Sequence, residues 1–208
     1  MDRDQYTFEE LAKLLSGLPS RHKQKIVAID GVGGVGKSTF AQELQKTLPG
    51  STVIHADDFY KIESERVTGN TFEINPNFDW DRMDREVFTP LHFGQPISYH
   101  VYDWHKDEIG AKVPVPADVV IILEGGYVTQ NRFSENYDFK IWIDAPDTAR
   151  LTRILERDGQ HMLQQWENEW MPIERNYIDK EKPNLRADLI VNGTDSDFKT
   201  GYYKIFKS

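Results

Sequence analysis

The stretch DGVGGVGKST, residues 30–39, limits what this chain can fold into more than any other. An apolar run, KIVAID (25–30), leads into it, and an amphipathic segment with Phe40, Ala41, Leu44 and Leu48 leads out and stops at Pro49–Gly50. Gly31, Gly36, Lys37 and Ser38 fit the pattern G-x-x-x-x-G-K-S/T in full, in the strand–loop–helix setting that the pattern requires. Glycine lets backbone N–H groups curl around an anion, and the helix that follows adds the positive end of its dipole. The loop therefore holds phosphate. Gly31, Gly33, Gly34, Val35, Gly36, Lys37, Ser38 and Thr39 are its candidate nucleotide-binding residues. Lys37 supplies a mobile charge to the β- and γ-phosphates, and the Ser38 hydroxyl suits Mg2+.

Around the loop, short β-branched-rich runs alternate with helical stretches. KIVAID is followed by TVIHA (52–56), DVVIIL (118–123), FKIWID (139–144) and ADLIVN (187–192). This is the rhythm of a parallel sheet with helices on both faces. Ahead of it, TFEELAKLLSGLP carries a capping box, Thr7 with Glu10. Phe8, Leu11, Leu14, Leu15 and Leu18 recur at helical spacing behind it. Between 70 and 117 the rhythm breaks: ISYHVYD (97–103) alternates and EIGAKVPVP follows, which predicts a projecting β-hairpin with Gly110 at its turn. The tail DFKTGYYKIFKS carries no clear pattern.

Charge and composition narrow the partners. With 34 Asp and Glu against 25 Lys and Arg, the net charge is −9, which argues against sequence-blind binding to nucleic acid or anionic lipid. There is no cysteine, so disulfides and thiolate metal sites are excluded. The longest strongly apolar run, VVIIL (119–123), is far too short to cross a bilayer, and the opening residues lack the order of a secretory signal. A soluble cytoplasmic protein is expected, with no membrane partner; a homo-oligomer is compatible with this composition.

The receiver of the phosphate is sought at strand ends. HADDFYK (55–61) follows the second apolar strand and places a carboxylate where an attacking hydroxyl would need a base. Asp57 and Asp58 are adjacent and diverge, so only one points inward. Glu124, closing VVIILE, is a second metal carboxylate, reaching farther than an aspartate would. Arg150, Arg153 and Arg157 fall on one side of a helix and can close over the phosphates. Trp166 and Trp170, four apart, read as helix packing more readily than as a pocket floor. The histidines show no metal-ligand spacing.

IDGVGGVGKSTFAQEL, HADDFYK, NFDWDRMD, YHVYDWH, ADVVIILEGGY, ARLTRILERD and RADLIVNG run in the order found in the uridine kinase/phosphoribulokinase group of P-loop kinases. The chain most resembles the uridine kinase-like branch of that group, over residues 25–194. The resemblance implies a three-layer α/β P-loop NTPase fold with a parallel five-stranded sheet, a β-hairpin flap and a helical lid. One kinase domain over 1–208 is expected, with the N-terminal helix read above in 1–24; within it the resemblance implies an acceptor-binding insertion in 70–117 and a lid in 147–182. Asp57 then falls on the base for a sugar 5′-hydroxyl. Tyr60, Phe78 and Asp79, Tyr102 and Asp103 fall on the acceptor-binding positions, and Arg157 on the lid arginine. His105 is the nearest match to a base-reading histidine, although it follows Asp103 by only two residues. The family's arginine-rich lid segment is replaced by GQHMLQQWENEW.

The expected activity is an ATP- and Mg2+-dependent transfer of the γ-phosphoryl group to the 5′-hydroxyl of a nucleoside, uridine- or cytidine-like. A nicotinamide riboside or pantothenate-type kinase, or a nucleotide-binding regulator without an acceptor, are the alternatives. No N-K-x-D segment that would read guanine is present.

Overall fold

The structure, a computed structural model, describes residues 5–67, 73–194 and 198–206. The chain enters through a short strand, β1 (Gln5–Thr7), and helix α1 (Phe8–Gly17). Thr7 caps that helix in the predicted box. Its hydroxyl accepts the Glu10 N–H at 3.2 Å while the Glu10 carboxylate accepts the Thr7 N–H at 3.0 Å. Such a cap stabilises a helix by about 0.5–2 kcal/mol. Phe8, Leu11, Ala12 and Leu15 form the buried face, whereas Leu14 is half exposed.

β2 (Ile26–Asp30) is buried at every position and leads through the glycine loop into α2 (Lys37–Thr47). β3 (Ser51–His55) follows. The next segment holds the short helices α3 (Trp80–Met83) and α4 (Thr89–His92), joined by a wide helical turn, then the hairpin β4 (Ser98–Asp103) and β5 (Glu108–Pro114). β6 (Val120–Glu124), β7 (Phe139–Asp144) and helix α5 (Asp147–Asp158) return the chain to the sheet. α6 (Leu163–Gln165), α7 (Met171–Glu181) and α8 (Pro183–Arg186) follow, with α7 and the turn before it against the loop. β8 (Leu189–Asn192) and β9 (Tyr202–Ile205) close the chain.

The sheet order is β1-β9-β8-β7-β2-β6-β3. β3, β6, β2, β7 and β8 are parallel and correspond to the five runs read from the sequence. The sheet nevertheless has seven strands, not five. β9 pairs antiparallel with β8, and β1 antiparallel with β9. These two are three and four residues long, too short to show a period, and backbone pairing holds them at the edge. Tyr203 anchors the pair by packing on Phe8 and Phe40, with ring centroids 5.5 Å from each.

The hairpin is present, but its turn is not at Gly110. The chain reverses at 104–107, where Asp107 takes a left-handed φ of 53°, and Gly110 lies within β5. The register shifts between His100 and Tyr102, and a Cβ on Gly110 would lie 2.9 Å from the Val101 carbonyl oxygen. Glycine is thus needed opposite the irregularity rather than at the turn. Buried Arg82 ties the hairpin to the sheet: it donates to the carbonyls of His100 at 2.5 Å and of Asp58 and Tyr60 at 3.1 Å each. Among the described residues no helix is long and apolar enough to cross a membrane.

Candidate active site

The glycine loop leaves the carboxyl end of β2, Glu124 ends the neighbouring β6, and Asp57 lies just past β3. Three adjacent parallel strands therefore deliver their chemistry to one crevice, as open α/β sheets do. Asp30, at the head of the loop, is fully buried and saturated with donors. They are the N–H groups of Gly31 (2.6 Å), Tyr127 and Thr129 (2.9 Å each), the Thr129 hydroxyl and the Tyr177 hydroxyl (2.6 Å each). Burial pushes its carboxyl upward, and these hydrogen bonds oppose the shift. Asp30 thereby fastens the loop both to the segment after β6 and to α7.

Gly36 is the N-cap of α2 with φ 97°, a conformation that side-chained residues resist, and no side chain caps the helix there. The first amides of α2 are left available to a ligand. Gly33, Gly34, Gly36, Lys37, Ser38 and Thr39 line one wall of a cavity of about 660 Å³. Val35 is fully buried behind the loop and Gly31 packs against the Ile143 carbonyl, so neither reaches that wall. Lys37 Nζ donates to the Val32 carbonyl at 3.0 Å.

Asp57 and Glu124 occupy the next wall. Although Asp57 keeps access to the open cavity, partial desolvation by the walls around it and then the Glu124 charge push its carboxyl upward, and Lys37, His55 and Arg157 oppose the shift. His55 Nδ1 lies 2.5 Å from Glu124 Oε1, and this bond raises the imidazole pKa. Asp58 diverges from its neighbour as adjacency required: it bonds the Tyr99 hydroxyl on the hairpin and is absent from the cavity lining.

The far wall is aromatic. Tyr60 and Phe78 both line it, ring centroids 5.0 Å apart, joined by an isolated antiparallel bridge. Trp104, which sequence reasoning passed over, joins them 4.9 Å from Tyr60. It lies in the hairpin turn, where no periodicity marks a residue as inward-facing. The other acceptor candidates are elsewhere. Asp79 caps α3, accepting the Arg82 N–H at 2.9 Å. The buried Tyr102 hydroxyl bonds Arg66 and Asp107. Asp103 accepts the N–H groups of His105 (3.0 Å) and Lys106 (3.2 Å), and His105 is exposed in that turn. None of these four lines the cavity. Arg66 completes the outer side, its guanidinium over the rings of Tyr60, Tyr102 and Trp104 at 5.0, 5.4 and 5.9 Å and its Nη2 3.0 Å from Asp107.

The three arginines of α5 separate by their surroundings. Arg153 and Arg157 line the cavity; Arg153 donates to the Thr194 carbonyl at 3.1 Å, and Arg157 makes a two-pronged pair with Asp158. Arg150 is buried, paired with Asp147 and with Glu174. Trp166 and Trp170 do both things weighed for them: they pack with Ile154 and Met171 and they line the cavity. Glu174 also lines it and was not foreseen. Its spacing with Met171 and Tyr177 puts it on one face of α7, but only the structure shows that this face is buried.

The donor set fits a nucleotide triphosphate with Mg2+. The loop offers uncapped amides and an ammonium, while Ser38 and Glu124 offer hard oxygen ligands. Among the described residues no group of three or more His, Cys, Asp or Glu could hold a metal alone. An ion that takes part of its shell from phosphate oxygens suits that arrangement.

The chain is similar to known proteins over most of its length. The profile of the Phosphoribulokinase / Uridine kinase family matches residues 26–196. A uridine kinase of Ureaplasma urealyticum serovar 10 is 28% identical over 184 residues, covering 80% of this chain and 88% of that protein. One from Borrelia turicatae is 33% identical over 145 residues, covering 64% and 67%. In solved structures, one described as a possible uridine kinase from Bacillus stearothermophilus superposes with a TM-score of 0.71 at 22% identity, over 88% of this chain and 96% of that one. The match runs from β2 to just beyond β8, through the phosphate loop, β3 and β6, and the chain belongs to the phosphoribulokinase/uridine kinase family.

Proposed function

We propose that this protein, acting as one kinase domain, transfers the γ-phosphoryl group of ATP to the 5′-hydroxyl of a uridine- or cytidine-like nucleoside. One observation carries the reading: Asp57 stands in the same cavity as the phosphate loop, facing a wall of Tyr60, Phe78 and Trp104. An aromatic wall accepts a flat base by stacking. A switch that hydrolyses nucleotide needs no such wall. Bound Mg2+-ATP supplies the phosphoryl group and neutralises its charge. Lys37 and the amides of the loop orient the phosphates, and Ser38, with Glu124 behind it, provides the metal ligands. His55 holds the Glu124 carboxylate in place. Asp57 removes the proton from the attacking hydroxyl onto a carboxylate oxygen, and its raised affinity for protons favours that task. Arg157 offsets charge that develops in transfer. Trp166 and Trp170 exclude water above the loop.

The test is ADP release by the purified protein with Mg2+-ATP and a panel of uridine, cytidine, nicotinamide riboside and pantothenate. Stimulation by uridine or cytidine well above the basal rate is expected. Stimulation by another alcohol alone would move the acceptor class, and unstimulated hydrolysis would turn the reading to a regulator.

A further inference from the structure

Glu174 stands where the loop is built to receive an anion. Its Oε1 accepts the Gly33 N–H at 2.6 Å, and its Oε2 accepts Arg150 Nη1 at 2.7 Å. The glutamate is 4% exposed and the arginine 1%, so this pair is closed off from solvent except where Glu174 meets the cavity. The lid region holds the carboxylate there from two sides. Tyr177, one turn further along α7, donates to Asp30 at the head of the loop. The Trp166 ring lies so close over Gly33 that a Cβ there would be 2.5 Å from its edge. Burial raises the Glu174 pKa, while Arg150, the Gly33 N–H and Lys37 favour the charged form.

A backbone N–H has one proton to give, and here a side chain takes it. Gly33 is on the limb of the loop away from the start of α2, whose amides receive the β-phosphate, and Lys37 spans β- and γ-phosphates. Glu174, Gly33 and Lys37 line the same cavity, so the carboxylate shares the phosphate end of the site with the lysine that reaches the γ-phosphate.

We propose that Glu174 is an internal occupant of the terminal-phosphate position, holding α7 against the loop until a nucleoside triphosphate displaces it. A diphosphate leaves it in place. The identity of the displacing ligand rests on the kinase reading above. In this scheme the protein discriminates substrate nucleotide from product nucleotide through its own side chain. Loss of the third phosphate lets Glu174 return to Gly33.

The test compares binding of a non-hydrolysable ATP analogue and of ADP, each with Mg2+, by calorimetry. Glu174→Gln keeps the size and an acceptor oxygen but removes the charge. It is expected to tighten the triphosphate analogue by about tenfold, on the scale where tenfold is about 1.4 kcal/mol, with ADP affinity changed less than about twofold. Unchanged or weaker analogue binding, or equal tightening of both nucleotides, would overturn the proposal. Because the variant leaves Arg150 buried without its full partner, hydrogen exchange in the unaltered protein provides a second readout. Amides of 166–177 are expected to exchange faster with the analogue and not with ADP. Equal exchange with both nucleotides, or slower exchange with the analogue alone, would overturn it too. Absence of any acceptor-stimulated turnover would remove the kinase reading and leave both binding readouts interpretable.

Discussion

Asp57 and Asp58 are neighbours of the same chemical type with different surroundings. Asp57 faces phosphate donors and a second carboxylate, whereas Asp58 faces a tyrosine hydroxyl. Base catalysis contributes on the order of 10²–10⁴-fold, so Asp57→Asn should lower kcat by about that factor while the nucleotide still binds. Asp58→Asn keeps an acceptor for Tyr99 and should leave kcat within about threefold, far short of a lost base. Steady-state rates on the best acceptor decide between them, and a severe loss in Asp58→Asn alone would transfer the role. The stability effect of Asp57→Asn runs the other way. A carboxylate whose folded pKa is raised binds more protons in the native than in the unfolded state, so its ionisation costs stability as pH rises through that value. Asp57→Asn is therefore expected to melt at or above the wild-type temperature at neutral pH, with the difference vanishing below the ordinary carboxylate pKa of about 4. Melting scans at both pH values measure this.

Among the elements, the hairpin and α3 show how far local pattern carries. Alternation in ISYHVYD is enough to announce a strand, because a half-buried strand needs a period of two. It cannot announce which turn residue reaches the crevice, and Trp104 was missed for that reason. Phe78 and Asp79 are consecutive yet serve different masters: the ring lines the cavity and the carboxylate caps α3. Phe78→Ala should raise the acceptor KM and leave the ATP KM nearly unchanged. Asp79→Ala should instead lower stability by about 0.5–2 kcal/mol, the usual cost of a lost cap, with a smaller change in acceptor KM. Denaturation and steady-state kinetics on both variants separate the two roles, and an equal KM increase would return Asp79 to the acceptor site. Glu174 illustrates the opposite limit. A charged residue within MPIERNYIDKE looks solvated until Arg150 and Gly33, 24 and 141 positions away, supply its partners. Breaking one side of such a buried pair typically costs about 3–5 kcal/mol.

At the scale of the molecule, the phosphate loop and five parallel strands were legible because each is written in consecutive residues. The sheet edge was not, because it is made from the two ends of the sequence. β1 and β9 pair residues that lie almost the whole sequence apart, with Gln5 opposite Lys204 and Thr7 opposite Tyr202. That register has a mechanical consequence. Tension applied between the two ends loads the ladder at the Gln5–Lys204 end, so its hydrogen bonds bear force one after another instead of together. The clasp should peel open at low force while the parallel core, loaded along its strands, holds. Stretching single molecules by handles at both ends is expected to give a small early extension indifferent to nucleotide, followed by a stronger rupture that bound nucleotide raises. A single rupture without the early step would show that the edge resists load together with the core.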